Sequence, residues 1–177
     1  MGIINKIEKA STFLLVRAIA PLSPARATKV QYAFYRRYGM NFTGVPNYIS
    51  SKAAIDGTDY SLITMGEGAT VSSYVRILTH DWAPHTVGKA LGIWTEKPLG
   101  RISPVVIGDF SFVGTGTVIM PGAKIGRGCI IGAGTVVRGV IPDYSIVIGS
   151  PGQIIGDSRA YMRRNYPDQV GPQHDEG

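Results

Sequence analysis

Through the second half of the chain an apolar residue returns every six positions: Ile107, Val113, Ile119, Ile125, Ile131 and Val137. A helix repeats near 3.6 residues and a strand near 2, so neither accounts for a strict spacing of six. A chain wound into coils does, each hexapeptide giving one short strand and one corner. The apolar residue points into a narrow core. Gly108, Gly114, Gly126 and Gly132 follow four of these residues directly and let the backbone turn. A looser register of the same spacing runs through Met65, Val71 and Ile77, and the repeat is expected to begin near Val45. It fails between His80 and about Pro104, where Pro, Gly and Trp cluster. That predicts a loop over about 81–104, thrown out from the stack, and such excursions commonly carry function. After Val137 the phase is expected to slip between Ile141 and Tyr144 and to resume around Ile148 and Ile154. At roughly 18 residues per three-sided turn, the pattern gives roughly five coils.

The flanks read differently. Over residues 3–19, Ile3, Ile4, Ile7, Leu14, Leu15, Ala18 and Ile19 share one broad helical face, with Lys6, Lys9 and Arg17 opposite. Pro21 and Pro24 interrupt the pattern. A second helix, basic and tyrosine-rich, is predicted over 25–38 and stops at Gly39. Residues 157–166 predict a short basic helix, and Pro167 to Gly177 a frayed tail. The expected division is a helical segment 1–44, a coil domain 45–156, and a helix and tail 157–177.

Charge adds a location. Residues 1–40 hold seven basic residues and one acidic residue, while the remainder is balanced. The basic character therefore belongs to the N-terminal helices and not to the repeat. Glu8 and Arg17 interrupt the first apolar run, so a cleaved signal peptide is not expected. The helices are expected to cover the open end of the stack and to rest on an anionic membrane surface. No recognised nucleic-acid module accompanies the basic segment, and no nucleic-acid partner is expected. The single cysteine, Cys129, excludes an internal disulfide and a cysteine metal cluster.

Two stretches carry a resemblance to a known family. The segment from Ile131 through Gly132, Ala133, Gly134, Arg138, Pro142, Ser150, Pro151 and Gly152 to Ile155 resembles the C-terminal signature of the hexapeptide-repeat acyltransferases. The segment from Val106 to Gly126 is similar to the coil that precedes it. The likeness is closest to the maltose/galactoside O-acetyltransferases and the polysaccharide-biosynthesis acetyltransferases, and it covers about residues 60–156. It implies an all-β, left-handed parallel β-helix with N-terminal helices, a homotrimer with the active site between subunits, and acetyl-CoA as donor. No metal is implied.

Leu78-Thr79-His80-Asp81, followed by a long loop, stands where that family carries its catalytic histidine. Moving an acetyl group from a thioester to an alcohol requires removal of the hydroxyl proton as the oxygen attacks, a task suited to imidazole. His80 is therefore the expected general base for direct transfer, with a backbone N–H on the oxyanion. The residue orienting His80 is open among Asp81, Asp59 and Glu96. Asp81, Trp82 and His85 are candidate acceptor contacts, with Trp94 as another stacking surface. The resemblance implies donor contacts at Gly114, Thr115, Gly132, Ala133 and Arg138. Arg159, Arg163 and Arg164 are candidate phosphate partners. The family usually shows Lys or Arg after Ser150-Pro151-Gly152, where this chain has Gln153.

The expected function is acetyl-CoA-dependent O-acetylation of a sugar or glycan, in the cytoplasm at the inner face of the membrane. The alternatives are N-acetylation of an amino sugar or nucleotide-sugar and a non-catalytic β-helical scaffold. A three-histidine zinc site of the β-helical carbonic anhydrase type is excluded, because residues 104–156 contain no histidine. Serine acetylation is disfavoured, since the long N-terminal helical domain and second later histidine of those relatives are missing.

Overall fold

The two-residue strands pair in parallel with their counterparts one coil away, and three faces result. A computed structural model describes residues 3–170. The first face stacks Asn41–Phe42, Ile63–Met65, Val105–Ile107, Lys124–Ile125 and Val140–Ile141. The second stacks Tyr48–Ile49, Thr70–Val71, Phe112–Val113, Ile130–Ile131 and Ser145–Ile148, with Gln153–Asp157 added antiparallel at its end. The third stacks Ala54–Ile55, Arg76–Ile77, Val118–Ile119 and Val136–Val137. Regular coils advance by three hexapeptides, as in the pairs Val106 with Lys124 and Val118 with Val136.

Each face turns one column inward. Ile107, Val113, Ile119, Ile131 and Val137 are fully buried and Ile125 is 1% exposed. Burying each such side chain contributes about 1.5–3 kcal/mol. Cys129 lies in this core, with its Sγ 3.1 Å from the Pro142 carbonyl oxygen. Burial pushes its thiol pKa up, so it is an inert packing residue and not a nucleophile.

Departures from that regular advance mark where the sequence pattern breaks. Val140 pairs with Lys124, two positions sooner than three full hexapeptides would allow, so the late slip is a shortening at Arg138 and Gly139. It precedes the expected position at Ile141. The inward column resumes at Ile141 and Val147, not at Ile148, and Ile154 lies on the antiparallel strand. Early in the chain Ile49 pairs with Val71 and Ile55 with Ile77, both steps longer than the regular one. The surplus is a short 3-10 turn over Tyr60–Leu62. The first coil also starts before Val45, at Asn41, which pairs with Thr64.

Two helices cover the N-terminal end: α1 (Ile3–Ile19) and α2 (Pro24–Arg37). Ser23 caps α2 by accepting from the Arg26 N–H. Along α2, Gln31 Nε2 donates to the Ile49 carbonyl at 2.7 Å, and the Ile49 N–H donates to Thr28 Oγ1 at 3.2 Å. These bonds satisfy the otherwise open edge of the second face. Phe34 and Tyr35 join the core beside Ile49 and Tyr60.

Helix α1 is oriented against its sequence pattern. Val16 is fully buried and Phe13 packs on Phe34, with ring centroids 5.5 Å apart. Glu8 accepts from the Tyr38 hydroxyl at 2.5 Å, and Lys9 Nζ lies 5.3 Å from the Tyr60 ring centre. The side that carries Glu8, Lys9, Phe13 and Val16 thus meets the protein, while Ile7, Leu14, Leu15 and Arg17 remain exposed. Aromatic edges offered by α2 and Tyr60 outcompete simple apolar burial. The side chains of Ile3, Ile4 and Lys6 lie outside the described residues, as does the tail from 171 onward, with His174.

Candidate active site

The expected loop is an ordered arm. His80–Asp81 and Arg101–Ile102 form a short antiparallel ladder at its base, and α3 (Ala83–Ala90) forms its body. The periodicity misses α3 because it is short and contains Pro84 and Gly88. The arm leaves the stack at the third–first corner, directly after Ile77, and returns at Ser103, whose N–H donates to the Thr79 carbonyl. Met65 pairs with Ile107, so the arm makes this coil more than twice as long as a regular one.

His80 sits at the root of the arm. Its Nδ1 is 2.6 Å from Asp56 Oδ2. The same oxygen accepts from the Thr79 N–H at 3.1 Å and from Thr79 Oγ1 at 2.5 Å. The other oxygen accepts from the Thr58 N–H at 3.1 Å and from Thr58 Oγ1 at 2.9 Å. The Asp56 side chain is only 6% exposed, against 32% for His80. Burial works to raise the Asp56 pKa, but the hydrogen bonds from Thr79 and Thr58 outweigh it and hold the carboxyl well below the usual range. Asp56 is therefore an anion with no proton to give. The proton of the short contact belongs to Nδ1, which leaves Nε2 of the neutral ring as an acceptor. A 300 Å³ hollow beside it is bounded by Ile55, Asp56, Arg76 and Leu78.

The orienting residue is thus Asp56, which the sequence reading did not consider. Asp59 instead caps the turn at Tyr60, accepting from the Ser61 N–H at 2.9 Å. Asp81 accepts from the Ala83 N–H at 2.9 Å and starts α3. Glu96 is exposed on the arm. The register that places Asp56 under Thr79 is the pairing of Ile55 with Ile77, which the inserted turn at Tyr60–Leu62 hides from a strict six-residue count.

The other candidates separate into groups. Trp82 tilts beside His80, ring centroids 5.6 Å apart, and lies against Gly100, where a Cβ would run into the indole. His85 points back into the arm, its Nδ1 accepting from the Leu99 N–H at 3.3 Å. Trp94 is 76% exposed, with Lys89 above it. Asp81, Arg101 and Arg138 line a cleft of about 260 Å³ with Met120 and Gly122, on the same corner as His80.

Thr115 and Ala133 lie elsewhere, exposed on the second–third corner. The Gly134 N–H donates to the Thr115 carbonyl at 2.8 Å. Gly114 and Gly132 are demanded by coil stacking: a Cβ at Gly114 would lie 2.7 Å from the Ala133 nitrogen, and one at Gly132 2.8 Å from Ile148 Cγ2. At Gly134, by contrast, a Cβ would meet nothing within 4 Å. That corner therefore presents bare backbone at Gly134, beside the exposed Thr115 and Ala133.

The C-terminal cations sit on a third edge. In α4 (Ser158–Asn165), Asp157 caps the helix, and Arg159 pairs with it at 2.7 Å and covers the Tyr144 ring. Arg159 and Arg163 line a 440 Å³ hollow with Phe110, Phe112 and Met162. This hollow is on the first–second corner, away from both Thr115 and His80. Among the described residues no three His, Cys, Asp or Glu side chains converge.

Comparison with known proteins agrees with the repeat. The family described as Bacterial transferase hexapeptide (six repeats) matches residues 104–139. The chain carries the hexapeptide repeat of bacterial transferases. This hexapeptide chain is 32% identical to the putative lipopolysaccharide biosynthesis O-acetyl transferase WbbJ of Escherichia coli, over 52% of itself and 49% of WbbJ. It is 27% identical to the serine acetyltransferase of Bacillus pumilus, over 82% of itself and 69% of that protein. Four of the matched curated relatives, WbbJ among them and all described as acetyltransferases, are spanned over only 18% to 49% of their own length. The structure of a galactoside acetyltransferase in complex with coenzyme A superposes with a TM-score of 0.58 at 17% identity, covering 89% of this chain and 86% of the other. At that identity the likeness establishes a shared fold.

Proposed function

We propose that the chain is an acetyl-CoA-dependent O-acetyltransferase that acetylates a hydroxyl of a sugar or glycan, with His80 as general base. The observation that carries this reading is the His80–Asp56 pair, at the point where the repeat opens into its arm. Asp56 fixes the ring through Nδ1, which leaves Nε2 for the substrate, and His80 lines the adjoining hollow. There it takes the proton of the acceptor hydroxyl as that oxygen attacks the thioester carbonyl. The imidazolium so formed is stabilised by the Asp56 carboxylate, and the proton then returns to the departing thiolate. No acyl-enzyme is needed, and the only cysteine is buried.

The β-helix is expected to be left-handed, as the resemblance implies. The assembly is expected to be a homotrimer. Thr115 and Ala133 stand one face away from His80 and Arg138, and a threefold packing that sets one chain's second–third corner against the neighbour's third–first corner unites them. The donor then lies along Thr115 and Ala133 beside Gly114 and Gly132, and Arg138 faces its phosphates. The acceptor is read as a sugar because Trp82, Asp81 and Arg101 edge the His80 site, a stacking ring beside polar groups. The likeness to WbbJ, described as a lipopolysaccharide biosynthesis O-acetyl transferase, favours the same class.

We also infer peripheral contact with an anionic membrane through α1. Its outward Ile7, Leu14 and Leu15, with Leu22 just beyond, belong to a segment that also exposes Arg17, Arg26, Lys29 and Arg36. No helix among the described residues is long and apolar enough to cross a membrane. Flotation with phosphatidylglycerol vesicles tests this: Leu14→Glu with Leu15→Glu should abolish binding, and unchanged flotation would refute it.

The test of the reaction is thiol release from acetyl-CoA across mono-, di- and lipid-linked sugars, comparing wild type with His80→Ala. Loss of a base of this kind lowers the rate by about 100- to 10,000-fold. Release by His80→Ala at the wild-type rate would refute the assignment.

A further inference from the structure

A second cleft lies across the third face from His80, on the second–third corner in the coils that precede Thr115, and has a different chemistry. It is about 850 Å³ and is walled by Arg17, at the end of α1, together with Lys52, Ser50, Ser51, Ser73 and Tyr74. Two of these residues are cations and none is acidic. Lys52 Nζ is held 5.4 Å from the centre of the Tyr74 ring. Ser50 Oγ and Ser73 Oγ are bonded to each other at 3.0 Å. Neither Arg17 nor Lys52 makes an ion pair among the described residues. Two cations without an acidic partner and several hydroxyls in one cleft suit an oxyanion, with phosphate best matched to a guanidinium and an ammonium together.

The cleft is tied to His80 by the chain itself. The strand Ala54–Ile55 runs from Lys52 to Asp56, and its neighbour Arg76–Ile77 runs from Tyr74 to Leu78 and His80. The short path from Lys52 to Asp56 spans at most about 14 Å of extended backbone. Arg76 faces outward between the two hollows and borders that of His80. A ligand lying along these two strands thus passes Arg76 between the cleft and His80.

We propose that this cleft is the phosphate subsite of the acceptor, so that the acetylated glycan carries a phosphate or pyrophosphate group. The inference rests on the transferase reading for its purpose, but the site can be tested without turnover. With the phosphate at Arg17 and Lys52, the reacting hydroxyl at His80 belongs to a sugar beyond the one bearing the phosphate. Leu14, Leu15 and Leu22, exposed like Arg17, belong to the same N-terminal segment. A lipid-linked sugar pyrophosphate and a soluble sugar phosphate share the required chemistry.

The first measurement is calorimetric binding of inorganic pyrophosphate to the full chain. Wild type should bind, Arg17→Gln with Lys52→Gln should weaken binding at least tenfold, and Lys52→Arg should retain it. Circular dichroism melts establish that each variant is folded. Absence of wild-type binding, or equal binding by the folded double variant, overturns the proposal. The second measurement is thiol release with one oligosaccharide in three forms: neutral, terminally phosphorylated, and linked through pyrophosphate to a short prenyl chain. The double variant should raise KM for the charged forms at least tenfold, with kcat within twofold and the neutral form unaffected. Preference for the prenyl form over the soluble phosphate identifies the lipid-linked source. Equal KM for neutral and charged forms in wild type overturns the subsite and leaves the transferase reading standing. Pyrophosphate binding without turnover of any form supports an oxyanion site in the cleft and overturns its role as an acceptor subsite.

Discussion

Replacing Asp56 with Asn removes one charge and almost no volume. In the native protein the carboxylate accepts five hydrogen bonds, four from Thr58 and Thr79 and one from His80 Nδ1. An amide keeps the shape but no longer stabilises the imidazolium formed as the acceptor hydroxyl loses its proton. A hydrogen bond to a charged group is worth about 1.5–3 kcal/mol. At about 1.4 kcal/mol per tenfold in rate, kcat should fall about 10- to 150-fold. KM for acetyl-CoA should stay within twofold, since Asp56 is buried under His80. The assay is thiol release at saturating acceptor. Because Asp56 acts through His80, Asp56→Asn added to His80→Ala should cost nothing more. A kcat for Asp56→Asn within threefold of wild type would refute the dyad. So would a double variant tenfold slower than His80→Ala alone.

Other consequences follow from the same structure. Against the opposing effect of burial, the hydrogen bonds to Asp56 lower its folded pKa below the unfolded value of about 3.9, so its stabilisation is complete above about pH 4 and is lost as pH falls through the folded pKa. Denaturant midpoints between pH 6 and pH 2.5 should therefore fall more steeply in wild type than in Asp56→Asn; parallel slopes would contradict the assignment. Gly114→Ala forces a Cβ to 2.7 Å from the backbone of the next coil and should cost about 1–3 kcal/mol, lowering Tm by roughly 2–12 °C. An unchanged Tm would show that the coils are not packed as described. Ile131→Ala, at a fully buried inward position, should cost about 2–5 kcal/mol in chemical denaturation, and a loss under 1 kcal/mol would argue against that inward column.

The stack was legible in the sequence because its core is periodic. Ile107 to Val137 keep a six-residue step, and every one of them is buried to within 1%. Legibility ended where the chain changed coil length. The shortening at Arg138 and Gly139 moved the later column from Ile148 to Val147, and the turn at Tyr60–Leu62 concealed Ile49 and Ile55. The latter omission hid Asp56, because its role depends on which residue of the next coil lies above it. His80 was visible as the imidazole at the break, but its partner was a full coil away and carried no local signal. Helix α1 shows a different limit. The apolar residues of its sequence share one face, yet helical periodicity does not say which side meets the protein, and that side carries Phe13, packed on Phe34 of α2, and the buried Val16.

The central claim is that His80 serves a thioester held along the bare corner of a neighbouring subunit. A crystal structure of the full chain with coenzyme A and an acceptor tests it most directly. The account predicts a trimer with the pantetheine along Thr115 and Ala133 of one chain and the acceptor hydroxyl about 3 Å from His80 Nε2 of the next. That hydroxyl should also lie about 3 Å from the position of the thioester carbon. Coenzyme A bound on the first–second corner beside Arg159, with its sulfur remote from every His80, would contradict it.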